Sequence, residues 1–477
     1  MGLPCLKPLP LYHPRVPQAS DLWRLLDSNF TTFREVYSEH FQAKYGYWRP
    51  VVDRSVAAFL KCGDLQEGFA RVRCPDCKHE MFVAFSCKQR CTCPSCHQKR
   101  TLLTAMHVAD EVCFPGPHRQ VVLTIPKRLR LHTRFDRRLL GKLCSCAWAC
   151  IKTETRRLLD RDDITPGMIA GIQTHGELLH WHPHIHALVT CGGFTPDGTF
   201  LDLPEFDMDS LLLTWQEAVF ELYLDQGKIE PKVVENMRTW KYTGFTADQS
   251  MYLPAGDHVG IERLVQYITR CPFSLSRLVK VTDKGQVVYK AEKHACQAFP
   301  DHNGDGIAAG PKRNFQVLPA LDFIAEFTQH IPAKGSHLIR YYGWYSNKAR
   351  GMRKKAQAHA NDPAAQKETS HTPAPRCSRT WAMLIKRVYE VDPLACPKCG
   401  GVMKVISFIE PPQAQVIEKI LKHCGLWQKS VSRAPPDIGG LARDLDFTFS
   451  GKKSDFSGPD QALDLIYENI DTFLATF

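Results

Sequence analysis

Two histidines one residue apart, His184 and His186, open an apolar run, Ala187-Leu188-Val189-Thr190. In an extended strand, side chains two apart share a face, so both imidazoles point one way while Ile185, Ala187 and Val189 point into a core. On a helix the same residues would lie about 200° apart and could not share a ligand. Imidazoles paired this way can hold one divalent metal ion. The run from His180 through His182 to His186 places four histidines at alternating positions. Pro183 is expected to start the strand, leaving His180 and His182 in the turn before it. A third ligand is expected from the preceding strand. There Gln173, His175 and Glu177 share one parity, and Gln173 and Glu177 lead. Two imidazoles with one amide or carboxylate oxygen leave positions open for substrate oxygens. That set suits Mg2+ or Mn2+ acting on phosphate, and it also accommodates zinc.

A second pattern is built from thiols. Cys74-Pro-Asp-Cys77 and Cys93-Pro-Ser-Cys96 are separated by 15 residues, a spacing that fits a structural four-cysteine zinc site. Cys62, Cys87, Cys91, His79 and His97 lie near enough to be alternative or additional ligands. Lys88, Arg90, Lys99 and Arg100 around them suit DNA phosphates. Cys396-Pro-Lys-Cys399-Gly-Gly is half of a zinc ribbon. Cys377, His423 and Cys424 would complete it only at irregular spacing, so a second zinc is not expected. Residues 301–306 resemble half of a calcium loop, but Lys312 occupies the twelfth position where such a loop needs Glu, which excludes calcium.

The elements that must position these groups follow from periodicity. Apolar residues at three- and four-residue steps predict helices within 20–70 and over 135–160, 209–224 and 258–270. Strands are predicted over 118–126, 168–174 and 184–190, with a hairpin over 276–290. The mixture predicts an α+β fold. With 477 residues, about three domains are expected. We divide the chain into a helical and zinc-binding region (1–110), a catalytic domain (111–350), a polar linker (351–380) and a small C-terminal module (381–477).

A net charge of +11 favours a polyanionic partner. Arg128, Arg130, Lys312, Arg313 and Arg350 are candidate phosphate contacts, with Lys348, Arg353, Lys354 and Lys355. No secretory leader and no apolar run of about 20 residues is seen, which predicts a cytosolic protein without a membrane partner. Nineteen cysteines in that compartment read as metal ligands and core residues rather than disulfides.

Pro183-His184-Ile185-His186 with its apolar continuation resembles the HUH motif of rolling-circle nucleases. The cysteine module, with Ser86-Cys-Lys, resembles the zinc-binding domain of IS91-type insertion-sequence transposases. Val122-Leu-Thr-Ile-Pro126 with Leu129-Arg130, Gln173-Thr174, and Arg340-Tyr-Tyr-Gly343 fall where such transposases carry similar motifs. The resemblance covers roughly residues 20–350, and the C-terminal segment is more loosely similar to the common-region subgroup. It implies an HUH-type antiparallel-sheet nuclease domain and a tyrosine nucleophile, which here matches Tyr267. Two-tyrosine members carry a second tyrosine four residues on, where this chain has Cys271, so a single nucleophile is implied. The implied reaction nicks single-stranded DNA at an element end, leaves a 5′-phosphotyrosine, and joins it to target DNA in a bacterial nucleoid. A plasmid replication initiator or relaxase would share this chemistry. A non-catalytic zinc-dependent DNA-binding protein is the reading from another class. The oligomeric state is left open.

Overall fold

The computed structural model describes residues 16–203, 205–249, 251–282, 284–291, 297–298, 312–360 and 393–427, with side chains omitted at 297–298, 312–313 and 357–360. The chain begins with three helices, α1 (Asp21–His40), α2 (Gln42–Tyr45) and α3 (Pro50–Leu60). Ser20 caps α1 by accepting the Trp23 N–H, as a hydroxyl residue before an apolar-periodic run should. A β-hairpin, β1 (Phe69–Arg73) and β2 (Glu80–Ala84), leads to α4 (Pro94–His107). The central region then runs β3 (His118–Thr124), α5 (Lys127–Phe135), α6 (Arg138–Leu159), β4 (Gly167–His175) and β5 (Trp181–Thr190). A small hairpin, β6 (Gly192–Phe194) and β7 (Phe200–Asp202), precedes α7 (Met208–Asp225), α8 (Pro231–Arg238), β8 (Thr246–Asp248), β9 (Tyr252–Leu253) and α9 (His258–Ile268).

Beyond α9 come β10 (Leu278–Val281), β11 (Gln286–Lys290), β12 (Gln297–Ala298), β13 (Lys312–Arg313), β14 (Phe315–Pro319) and α10 (Ala320–Gln329). Last come β15 (Ile339–Gly343), α11 (Asn347–Ala360), β16 (Lys404–Ile409) and α12 (Ala414–His423). The fold is α+β.

The site sits on a six-stranded sheet ordered β15-β4-β5-β3-β8, with β9 also paired to β3. Every pairing in it is antiparallel. Alternation along the three central strands gives it two different faces. One face carries Val121 and Leu123, Met168, Ala170 and Ile172, and Ile185, Ala187 and Val189, packed on Leu143, Ala147 and Ile151 of α6 and Trp215 and Phe220 of α7. The other carries Ile169 and Leu188 under Ala105 of α4 and Ile261, Leu264, Val265 and Ile268 of α9. The histidine pair lies on this second face, so α9 covers it.

Packing crosses the expected domain limits. Leu22, Leu26 and Phe33 of α1 share a core with Val287 and Tyr289 of β11 and Phe323 and Phe327 of α10. The C-terminal strand β16 pairs with β1, so the cysteine hairpin is completed by residues from the far end of the chain. Phe69 of β1 packs there with Ile409, Ile417 and Leu421. Polar composition over 351–380 reads as a linker, yet α11 extends to Ala360; residues 361–380 lie outside the described set. Cys377 and the loop at 301–306 lie outside it as well.

Candidate active site and thiol centres

Register brings the first ligand candidates together. Gln173 of β4 pairs with His184, and Gly171 pairs with His186. The side-chain amide nitrogen of Gln173 donates to the carbonyls of Tyr267 (2.8 Å) and Ile268 (3.0 Å), two of the groups a helix C-terminus leaves without intrahelical partners. Its oxygen Oε1 is buried with no hydrogen-bond partner among the described residues. His184 donates from Nδ1 to the His182 carbonyl at 2.7 Å, because a carbonyl only accepts; Nε2 therefore keeps its lone pair. His186 Nε2 is also buried and unpartnered.

Burial drives His184 down to about 4, and burial followed by the neighbouring His184 drives His186 down to about 2. Both rings are neutral at pH 7, the form that ligates a metal. Two imidazole nitrogens and an orphaned amide oxygen on one face form a donor set that fits a divalent cation.

Tyr267 completes the arrangement. It is 43% exposed. Its ring stands edge-on to His186, 5.2 Å between centroids, and the Arg270 guanidinium lies over it at 4.7 Å. Gly171 permits this approach, because a Cβ there would run into Cγ2 of Ile268.

The structure departs from the sequence expectations at three points here. His182 and Pro183 belong to β5, and the rings of His180, His182, His184 and His186 form one continuous row spaced 5.7, 5.1 and 4.7 Å. The β4–β5 register slips between Gln173 and His175, close to Pro183, which has no N–H to offer. Beyond that bulge His175 pairs with Trp181 and its ring meets His330, so odd parity no longer means the histidine face.

Glu177 is the casualty. It sits past the end of β4 with Oε1 3.8 Å from Nη2 of Arg277, and among the described residues no His, Cys, Asp or Glu joins His184 and His186 as a third donor. Cys271 lies beyond the C-terminus of α9, and burial pushes its thiol up to about 12. It is therefore protonated near neutrality.

One residue outside the expected set stands behind the site. Gln120 of β3 lies 2.7 Å from Nδ1 of His186 through its side-chain amide. As placed, the NH2 faces the ring. The same amide turned over accepts from Nδ1–H and frees Nε2 for a metal. No sequence spacing singles out Gln120, since it becomes a neighbour only through the β3–β5 pairing.

The thiols form two quartets rather than the expected one. Cys62, Cys87, Cys93 and Cys96 converge in one group, and Cys74, Cys77, Cys396 and Cys399 in another. Sulfurs in contact lie 3.6–3.8 Å apart in the first and 3.4–3.6 Å apart in the second, and all four in each lie within 4.8 Å of one another. Disulfide sulfurs lie near 2.05 Å, whereas four sulfurs each about 2.3 Å from one zinc lie roughly 3.8 Å apart. Both quartets therefore fit structural zinc.

The Cys74 and Cys396 knuckles are twins. Cys74 N–H donates to the His79 carbonyl and Cys396 N–H to the Gly401 carbonyl, each at 2.8 Å, and the residue after each second cysteine is left-handed (Lys78 at φ 61°, Gly400 at φ 75°). The missing half of the C-terminal ribbon is thus the Cys74/Cys77 hairpin.

The first quartet reaches the candidate site through His97. The Cys91 N–H donates to its Nδ1 at 2.8 Å, so Nε2 carries the proton and donates to the Thr269 carbonyl at 2.8 Å. Thr101 donates to the same carbonyl at 2.9 Å. Thr269 is two residues beyond Tyr267.

The candidate phosphate contacts scatter. Arg128 is exposed, while Arg130 is half-buried with Nε on the Ile125 carbonyl. Arg350 lies over the Tyr341 ring at 5.3 Å and donates to Asn347, and Arg353 stacks on Trp344 at 3.9 Å. Lys348, Lys354 and Lys355 are exposed on α11. The side chains of Lys312 and Arg313 lie outside the described residues.

Comparison with known proteins decides the family. Residues 167–353 match a family described as a putative transposase, and residues 32–125 match a transposase zinc-binding domain. The chain is an IS91-type transposase. It is 25% identical over 374 residues to the transposase for insertion sequence element IS801 of Pseudomonas savastanoi pv. phaseolicola, covering 75% of this chain and 84% of that protein. It is 24% identical over 341 residues to the putative transposase y4qJ of Sinorhizobium fredii (strain NBRC 101917 / NGR234), covering 66% of this chain and 79% of that one. No solved structure matches significantly. Among the described residues of the transposase, no helix is long and apolar enough to cross a membrane.

Proposed function

We propose that the transposase cuts one DNA strand at an element end with Tyr267 as nucleophile. The phenolic oxygen bonds to phosphorus, the bond from phosphorus to the 3′ oxygen breaks, and the 3′-OH leaves with a proton while the phenol gives one up. The product is a 5′-phosphotyrosine, and the reverse reaction at a second site joins the strand to target DNA without an external energy source. The observation that carries this reading is the edge-on contact of the exposed Tyr267 ring with His186, beside an unpartnered Nε2 and an unpartnered Gln173 Oε1.

His184, His186 and Gln173 would hold Mg2+ or Mn2+. A cation so held supplies Lewis-acid polarisation of the scissile phosphate. The protein's own part is orientation. Gln173 ties the last turn of α9 to the sheet through the Tyr267 and Ile268 carbonyls, so nucleophile and ligands are fixed to one another. Arg270 presents a guanidinium at the phenol ring, where phosphate charge would gather. The quartet thiols are closed four-ligand sets with a structural task.

The test is incubation with a labelled single-stranded end oligonucleotide and Mn2+ or Mg2+, followed by denaturing electrophoresis. A covalent protein–DNA band that disappears in Tyr267→Phe, with DNA binding retained, is the expected result. A band that persists in Tyr267→Phe overturns the assignment of the nucleophile. Absence of any band with both metals, under conditions where the strand binds, favours a non-catalytic DNA-binding role.

A further inference from the structure

A cavity of about 280 Å³ lies behind α9, where β4 runs on past its pairing with β15. Among the described residues its walls include five guanidinium groups, Arg90, Arg100, Arg137, Arg270 and Arg340, and no carboxylate. None of the five forms an ion pair among the described residues. Arg90 donates to the Ser336 carbonyl, and Arg137 donates to the carbonyl and side-chain oxygen of Gln329. These neutral acceptors satisfy hydrogen bonds without cancelling charge. The Nε atoms of Arg137, Arg270 and Arg340 are buried with no hydrogen-bond partner among the described residues.

Like charges gathered in a partly desolvated cleft are costly unless an anion joins them. Burial, with Arg49 and Arg134 adding to it, holds the Arg137 guanidinium well below its usual range. The planar fork of arginine matches a phosphate better than any other biological anion of comparable size except a carboxylate.

Size and position narrow the ligand. A volume of about 280 Å³ is just under the roughly 300–1,000 Å³ of small-molecule pockets, enough for about one nucleotide unit and too little for a duplex. Ile268, Thr269 and Arg270, the three residues after Tyr267, form part of the wall, as does Gln173. Arg270 thus belongs both to the cleft and to the nucleophile. Gly141 on α6 makes room for Arg340, whose Nη2 would lie 2.6 Å from a Cβ at that position.

We infer that this cleft seats one sugar-phosphate unit of the cut strand, next to the scissile bond, with Arg340 on its phosphate and the other guanidiniums lining the same cleft. The inference rests on the strand-nicking reading for the identity of the ligand, but it is tested by binding alone. Affinity for a short single-stranded oligonucleotide is measured over a salt series without added divalent metal, for wild type, Arg340→Gln, Arg340→Lys and Gly141→Ala. Arg340→Gln is expected to lose about fivefold to tenfold in affinity and to flatten the log–log salt slope by about 0.7, the value for one single-strand phosphate contact.

Arg340→Lys should keep the slope. Gly141→Ala favours its helix and retains every charge, yet it displaces the guanidinium and should also weaken binding. Affinity and slope unchanged in both Arg340→Gln and Gly141→Ala overturn the inference. So does an inorganic phosphate site, read by thermal shift and lost in Arg340→Gln, when the strand's salt slope stays unaltered, because the cleft then serves a free anion. A flattened slope in a protein that never forms a Tyr267 adduct keeps the cleft and removes the nucleophile.

Discussion

Tyr267 stands edge-on to His186 across the gap between α9 and the sheet, with 5.2 Å between ring centroids. Residue 171, paired with His186 on the next strand, decides that spacing because any side chain there meets Ile268. Gly171→Ala is expected to lift the end of α9, destabilise the protein by about 1–3 kcal/mol as overpacking does, and lower the rate of adduct formation at least tenfold. Single-turnover kinetics on end DNA, with zinc content as a folding control, check this. A folded variant with the wild-type rate would show that α9 does not need its close seat.

Gln120 should act through His186 rather than on DNA. Gln120→Leu is expected to raise the Mn2+ concentration for half-maximal nicking by about 10–100-fold, the usual cost of losing a ligand's supporting hydrogen bond. Gln120→Glu presents only acceptors and should stay close to wild type. Equal Mn2+ requirements in the Leu variant and the wild type would sink this role.

Zinc analysis by mass spectrometry of the native protein should give two ions per chain. Cys396→Ser combined with Cys399→Ser should leave one, and should expose β16 and α12 to protease. Cys93→Ser combined with Cys96→Ser should instead damage the core shared by α1 and α10, where Cys93 and Cys96 are buried. One ion in the native protein would contradict the second quartet.

His97 ties the first quartet to the chain just beyond Tyr267. His97→Phe leaves all four thiols in place but strands the Thr269 carbonyl with Thr101 as its one side-chain donor. Zinc content should hold at the native value while adduct formation falls about tenfold, consistent with about 1–3 kcal/mol for a disturbed buried hydrogen bond. An unaltered rate would confine His97 to packing.

A pH effect on stability is expected at His118. The Phe114 N–H donates to the Tyr345 hydroxyl, that hydroxyl donates to His118 Nε2, and His118 Nδ1–H donates to the Gly116 carbonyl. Burial holds this imidazole down to about 4, whereas the unfolded chain has the ordinary value of 6.5. Below 6.5 the unfolded state therefore binds the extra proton. The neutral ring's contribution is complete above pH 6.5 and is lost as pH falls towards 4, by on the order of 3 kcal/mol. Urea midpoints at pH 7.5 and 5 should differ less in His118→Gln than in the wild type; equal differences would rule out His118 as a source.

Much of this molecule was legible as sequence because it is local. The 3.6- and 2-residue periods anticipated α6, α7, α9 and the three strands of the site, and a parity argument put Gln173 among the candidate neighbours of the histidines without giving its register. The same argument failed at Glu177, where a bulge near Pro183 changes which residues share a face. Thiol pairing was misread for a related reason. C-x-x-C units advertise knuckles but not their partners, and Cys74/Cys77 closes with residues brought in by β16. The arginine cleft was invisible, since its five guanidiniums come from separate elements and no period links them.

The division of the thiols imposes a timetable on biosynthesis. Every ligand of the first quartet has been made once the ribosome has passed Cys96, so that module can close early. The second waits for Cys399, roughly 300 residues or about 15–60 seconds later at 5–20 residues per second. Cys74 and Cys77 spend that interval as an open pair of thiols. Only a chain translated through Cys399 can shut it, so the closed hairpin is in effect a receipt that the sheet carrying His184 and His186 has already been made.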